Sequence, residues 1–128
     1  MTAAYTAIVI HPSEDGVIRV ERVTSEAGDD HFLSKKVGGY IEHLSTPGGK
    51  VDFWMNENGK LDRMPVNALA TDVLYMLHPA FRGHDILVGP VVLTGNNGED
   101  TASIPEGLWE HLKSFSWAAK VEFTEVEP

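Results

Sequence analysis

The clearest helical stripe in this chain runs through Val66, Leu69, Ala70, Val73, Leu74 and Leu77, apolar residues at i, i+3, i+4, i+7, i+8 and i+11. Other segments are shorter, and most read in strand periods. A doubly wound parallel sheet needs a helical crossover between successive strands, and this chain has too few and too irregular ones. The expectation is a single α+β domain over 1–128, about three helices covering a mostly antiparallel sheet of six or seven strands. Pro79 after His78 ends the main helix, whose opposite face shows Asn67, Thr71, Asp72 and Tyr75.

Tyr5 to Ile10 and Val17 to Val23 are rich in β-branched residues, and Pro12-Ser13-Glu14-Asp15-Gly16 between them is turn chemistry, so they form an opening hairpin. Asp29-Asp30 caps a short helix over His31 to Val37, with Lys35 and Lys36 suited to its C-terminal dipole and Gly38 to a left-handed cap. Strand character resumes from Gly39 to Ser45, and Thr46-Pro47-Gly48-Gly49-Lys50 turns the chain into Val51 to Asn56. A symmetric turn sets Leu44 against Phe53 and His43 against Trp54. With large apolar groups on both faces, this hairpin is expected to be central or covered on both sides.

Asn58-Gly59 carries the signal of a type I′ turn, which sends the chain back through Lys60 to Arg63 as the third strand of a meander. Ile86 to Thr94 reads as a buried strand with a bulge or edge position at Gly89-Pro90. Ser103-Ile104-Pro105-Glu106 is a capping box that starts a helix running to about Ser114 and burying Leu108, Leu112 and Phe115. Val121 to Val126 supplies the last strand. Trp54, Trp109, Trp117, Phe81 and Phe115 are assigned to the core by default.

A chain of 128 residues is long enough to bury roughly two-thirds of the surface its unfolded form exposes. It contains no cysteine, which excludes disulfides, thiolate metal sites and cysteine nucleophiles, and fits a reducing, cytoplasmic setting. Ile86 to Gly98 is the longest uncharged stretch and is broken by Gly89-Pro90 and Asn96-Asn97-Gly98, so no membrane span is expected. Nineteen acids against ten bases give a net charge of −9, which argues against direct nucleic-acid binding. The acids are dispersed along the chain. Their ordinary role is a solvated surface; the sharper alternative is a protein that mimics DNA phosphates and occupies a nuclease or restriction enzyme.

Motifs for chemistry are sparse. His11, His31, His43, His78, His84 and His111 form no i, i+4 pair on a helix and no HExxH, so no metal site is expected. Asn96 to Asp100 lacks the alternate-residue spacing of an EF-hand. Gly38-Gly39 leaves a helix and enters a strand, the reverse of the order that aims helix N–H groups at phosphate, so no nucleotide cofactor is expected. No G-x-S-x-G elbow is present. Glu42 and Glu57 are the one carboxylate pair suited to general acid and base chemistry; the competing reading makes Glu57 a turn residue and pairs Glu42 with Lys60 or Arg63. The polar groups left over are Tyr40, Glu42, Asn56, Glu57, Lys60, Asn67 and Thr71. They offer donors and acceptors without a strong nucleophile, which suits binding better than catalysis.

Four blocks carry most of these residues: Val37-Gly38-Gly39-Tyr40-Ile41-Glu42, then Asn56-Glu57 with Gly59-Lys60, then Asn67 with Ala70, then Asp85 to Gly89 followed by Val91 to Gly95. Together they resemble a family of small uncharacterised domains common in bacteriophages and in actinobacterial and plasmid genomes, the match running over about residues 36 to 98. The resemblance implies no reaction. It implies a mobile-element setting, in the host cytoplasm if phage-encoded. Together with a polar cluster that lacks a nucleophile, the expectation is a non-enzymatic protein that engages a host or defence component or a small ligand, the alternatives being the DNA mimic and an enzyme using Glu42 and Glu57. No catalytic residue and no cofactor follow from the resemblance. Free sheet edges add the expectation of a homodimer.

Overall fold

The computed structural model describes residues 3–45, 50–98 and 100–126. Asp15 and Gly16 both take positive φ, 53° and 79°, as a two-residue type I′ loop requires of its central positions. Glu14 and Val17 close the loop with reciprocal backbone hydrogen bonds of 2.9 and 3.0 Å. The loop joins β1 (Thr6–Ile10) to β2 (Val17–Thr24) as the expected antiparallel hairpin, with Ile10 opposite Val20.

Helix α1 (Phe32–Val37) follows. The Asp29 carboxylate accepts the His31 N–H at 3.0 Å, and Gly38, at φ 81°, closes the other end by donating to the Ser34 carbonyl. Then come β3 (Ile41–Leu44) and β4 (Asp52–Asn56), in the register the sequence suggested: His43 against Trp54, Leu44 against Phe53. The turn expected at Thr46-Pro47-Gly48-Gly49 lies outside the described residues.

Beyond β4 the meander is not made. Residues 57 to 63 coil in successive turns in which Asp62 N–H bonds to Asn58 O and Met64 N–H to Gly59 O. Gly59 is required for closeness: a Cβ there would lie 2.8 Å from Val88 Cγ2. Helix α2 (Ala68–Leu77) buries Leu69, Ala70, Val73 and Leu74 as the stripe predicts, but Thr71 is buried too and Asn67 wholly so. Val66, which opens the stripe, is instead 58% exposed. The chain passes Pro79–Phe81 as one 3₁₀ turn and runs without strand pairing through Ile86 to Pro90, apart from a single bridge between Val88 and Val66.

Strand β5 (Val91–Asn96) therefore starts after Pro90, which removes the conflict between a proline and a central strand. A short β6 (Thr101–Ala102) pairs back on it. Helix α3 (Leu108–Ser114) begins later than the capping box implied, because Gly107 at φ 87° stands as its N-cap while Ser103 Oγ accepts the Thr6 N–H at 2.9 Å. Strand β7 (Lys120–Val126) ends the fold, parallel to β2.

The main sheet order is β3-β4-β5-β1-β2-β7, with β6 beside β5, so the described residues form a seven-stranded, mostly antiparallel sheet with three helices, an α+β fold. Alternation along β1 sorts the core into two clusters. Ile8 and Ile10 pack with Phe53, Leu74 and Leu112 on the α2/α3 face; Ala7 and Val9 pack with Phe32, Leu33 and Val37 of α1 on the other. A fully buried side chain such as Phe53 contributes about 1.5–3 kcal/mol relative to an exposed one. The β3/β4 hairpin is not covered on both faces: β4 is largely buried, while β3 is an edge strand with Ile41, Glu42 and His43 exposed. Phe115, expected in the core, is 41% exposed.

Candidate functional site

Asn56 ends β4 at 7% exposure. Its Nδ2 donates to the Val37 carbonyl at 3.2 Å and its Oδ1 accepts the Asn58 N–H at 2.8 Å, so one side chain ties the end of α1 to the loop after β4. Gly39 makes this approach feasible, since a Cβ would lie 2.8 Å from that same Nδ2. On the far side of the loop, Asn67 uses its whole side-chain amide: Nδ2 donates to Ile10 O at 2.8 Å and Gly89 O at 2.9 Å, and Oδ1 accepts Ala70 N–H at 3.0 Å. Thr71 Oγ1 donates to Asn67 O and accepts Leu87 N–H at 3.0 Å. The hydroxyl of Tyr75 donates to the Asp85 carbonyl. These bonds fasten the segment from Asp85 to Gly89 along α2 without a regular ladder.

That segment and the 57–63 loop enclose a cleft of about 80 Å³ beside β3. Glu42 reaches it from β3, Asn56 from β4, Glu57, Lys60 and Leu61 from the loop, and Asp85 and Ile86 from the fastened segment. Lys60 Nζ lies 3.3 Å from Asp85 Oδ1. The alternative reading of Glu42, paired with Lys60 or Arg63, is thus replaced by a Lys60–Asp85 pair, and among the described residues neither Glu42 nor Glu57 has an ion-pair partner. Leu61 and Ile86 on the rim are 83% and 53% exposed.

Of the seven polar residues singled out in the sequence, four therefore line one cleft: Glu42, Asn56, Glu57 and Lys60. Asn67 and Thr71 stand behind it as braces of its wall. Tyr40 is separate, 76% exposed beside His31, Ser34 and Lys35 of the α1 region; only its backbone carbonyl, which accepts the Glu57 N–H at 2.8 Å, belongs to the cleft's frame. Asp85, Leu61 and Ile86 were not anticipated. A signal for Asp85 existed, because it opens the fourth sequence block and Lys60 closes the second, and the two blocks meet in space.

The wider molecule places no group of three or more His, Asp or Glu side chains among the described residues where they could hold a metal ion. His43 stacks on Trp54 with ring centroids 4.2 Å apart, and its Nε2 lies 3.3 Å from the buried Asp52 carboxylate. His78 caps the C-terminus of α2, where the helix dipole favours the imidazolium, yet burial holds its pKa below the ordinary value. Tyr5, edge-to-face with Phe32, has its pKa pushed up to about 12, first by burial and then by the Asp29 carboxylate. A larger hollow of about 470 Å³ lies around Arg22, Glu110 and Trp109, but Arg22 there is taken up by Glu125 at 2.5 Å and lies over the Trp109 ring.

A protein-family model described as "Domain of unknown function (DUF3846)" matches residues 5–115, which takes in everything from β1 through α3 and leaves β7 outside. No curated protein and no solved structure matches the chain.

Proposed function

The chain belongs to the family described as a domain of unknown function (DUF3846), a membership that assigns no reaction, and from the cleft we propose that it is a non-enzymatic binding module that docks a partner protein around Glu42, Glu57, Lys60, Leu61 and Ile86. The observation that carries this is the pairing of size with rim. A volume of about 80 Å³ is well short of the roughly 300–1,000 Å³ of a metabolite pocket, but it suits one side-chain head group. Around it Leu61 and Ile86 expose apolar surface that a folded monomer gains nothing by showing to water.

The rigid backing supports the same reading. Asn67 and Thr71 hold the cleft wall in place before any partner arrives, so binding orders little of this chain. The mobile-element setting implied by the sequence resemblance makes a host or defence protein the partner to look for first.

A photo-crosslinking residue placed at position 61 tests the proposal, with the same probe at the exposed Glu106 as control. The expected result is a discrete adduct from position 61 in lysate of the native host, lost when Ile86→Asp and Glu42→Ala are added in a chain whose melting temperature is unchanged. Identical adduct patterns from positions 61 and 106 would refute it.

A further inference from the structure

Resting on that docking surface, we infer that its occupant is an extended segment of the partner that adds to β3 as a further strand and sets a lysine or arginine beside Glu42. The backbone comes first. Glu57 N–H donates to Tyr40 O at 2.8 Å, which makes these two a hydrogen-bonded pair at the head of the β3/β4 ladder. Hydrogen-bonded and non-bonded pairs alternate along an antiparallel ladder, and the register continues Ile41–Asn56, Glu42–Met55, His43–Trp54, Leu44–Phe53. Glu42 and Leu44 therefore turn their backbone groups toward β4. Ile41 and His43 turn theirs to the side where, among the described residues, the sheet ends.

Among the described residues the sheet has a second free edge, β7, and the two are finished differently. Along β7 the charges of Lys120, Glu122 and Glu125 line an exposed strand, the usual protection against edge pairing. Beside β3, on the face to which Glu42 points, stand the exposed rim residues Leu61 and Ile86, and Ile41 is exposed on the strand's other face. Backbone groups supply affinity in strand addition, and a neighbouring pocket supplies specificity.

Charge selects the occupant. Lys60, the cleft's one cation, is engaged by Asp85, while Glu42 and Glu57 stand beside the edge without an ion-pair partner among the described residues, so the lining carries three carboxylates against one ammonium in a chain already at −9. A basic side chain next to Glu42 corrects this. A second copy pairing through its own β3 does not, because Ile41-Glu42-His43-Leu44 contains neither lysine nor arginine, and β7 would bring Glu122 and Glu125 along with Lys120.

Residue-resolved amide hydrogen exchange with two short synthetic peptides tests the inference, one alternating valine with lysine and the other valine with glutamate. The lysine peptide is expected to slow exchange at Ile41 and His43 and leave Glu42 and Leu44 unchanged, the glutamate peptide to leave all four unchanged, and Glu42→Lys to weaken the lysine peptide by about tenfold or more. Equal binding of both peptides overturns the basic residue. Chemical-shift changes confined to Leu61 and Ile86, without protection at Ile41 and His43, overturn strand addition while leaving the docking surface standing. Protection that rises with protein concentration in the absence of peptide assigns the edge to a second copy and overturns the inference.

Discussion

Asn67 donates a 2.8 Å hydrogen bond to the carbonyl oxygen of Ile10, joining the start of α2 to the end of β1 across 57 positions of sequence. The same nitrogen holds Gly89, and the amide oxygen caps the helix. Removing it strips two buried carbonyls and one N–H of partners, each at about 1–3 kcal/mol. Asn67→Ala is therefore expected to lower unfolding free energy by about 3 kcal/mol or more in urea titration. Asn67→Asp keeps the cap oxygen but turns a carboxylate oxygen toward the two carbonyls, so it should destabilise more than Asn67→Ser; the reverse order would show that the cap alone matters.

Gly59 sits where a Cβ would come within 2.8 Å of Val88 Cγ2. Gly59→Ala is expected to cost about 1–3 kcal/mol through overpacking. Adding Val88→Ala removes the obstructing methyl, so the double variant should be less destabilised than the sum of the two singles. Strict additivity would mean that the Asn56 carbonyl oxygen, 3.3 Å from the added carbon, is the obstruction instead.

Lys60 and Asp85 are 3.3 Å apart on exposed side chains, 68% and 32% accessible. Solvent screens such a pair, and Lys60→Ala should change stability by less than about 1 kcal/mol. It is thus a clean probe of the cleft, because a loss of partner binding in this variant is not a loss of fold.

Tyr5 titrates near 12 in the folded chain against 10.0 for the free phenol. Its folded pKa is raised, so its stabilising contribution is complete below pH 10 and is lost as pH rises from 10 toward 12, on the order of 2 kcal/mol in all. Alkaline unfolding followed by far-UV circular dichroism should show this limb, and Tyr5→Phe should flatten it. An unchanged limb in the variant would place the alkaline transition elsewhere.

Local chemistry made much of the fold legible. The β1/β2 hairpin, the α1 helix ending at Gly38 and the His43–Trp54 and Leu44–Phe53 pairs all follow from neighbours in sequence. Errors arose where a residue serves a distant partner. Gly59 resembles a turn residue but makes room for Val88; Ser103 resembles a helix cap but binds Thr6 N–H across 97 positions. The reach of Asn67 to Ile10 and of Thr71 to Leu87 is likewise invisible on the helical wheel. Nothing within a few residues announces such distances. For the candidate site, the blocks located Glu42, Asn56, Glu57 and Lys60, while Leu61, Asp85 and Ile86 became visible only when the fold brought two blocks together. The family model, a domain of unknown function, runs over residues 5–115, wider than the stretch of about 36 to 98 on which the resemblance to an uncharacterised family rested.

Strand β7 pairs with β2 in parallel register, Val17 opposite Lys120 and Val23 opposite Val126. Nearly the whole described chain separates these partners, and contacts of such separation form late because loop closure must come first. Pulse-labelled hydrogen exchange during refolding is expected to protect the β1/β2 amides before those of β7; simultaneous protection would contradict this order. On a ribosome the open flank of β2 waits through almost the entire synthesis of the domain. Charges such as Arg19 and Arg22, which in the folded chain meet Glu122 and Glu125 of β7, disfavour pairing of that flank with a wrong neighbour until β7 arrives.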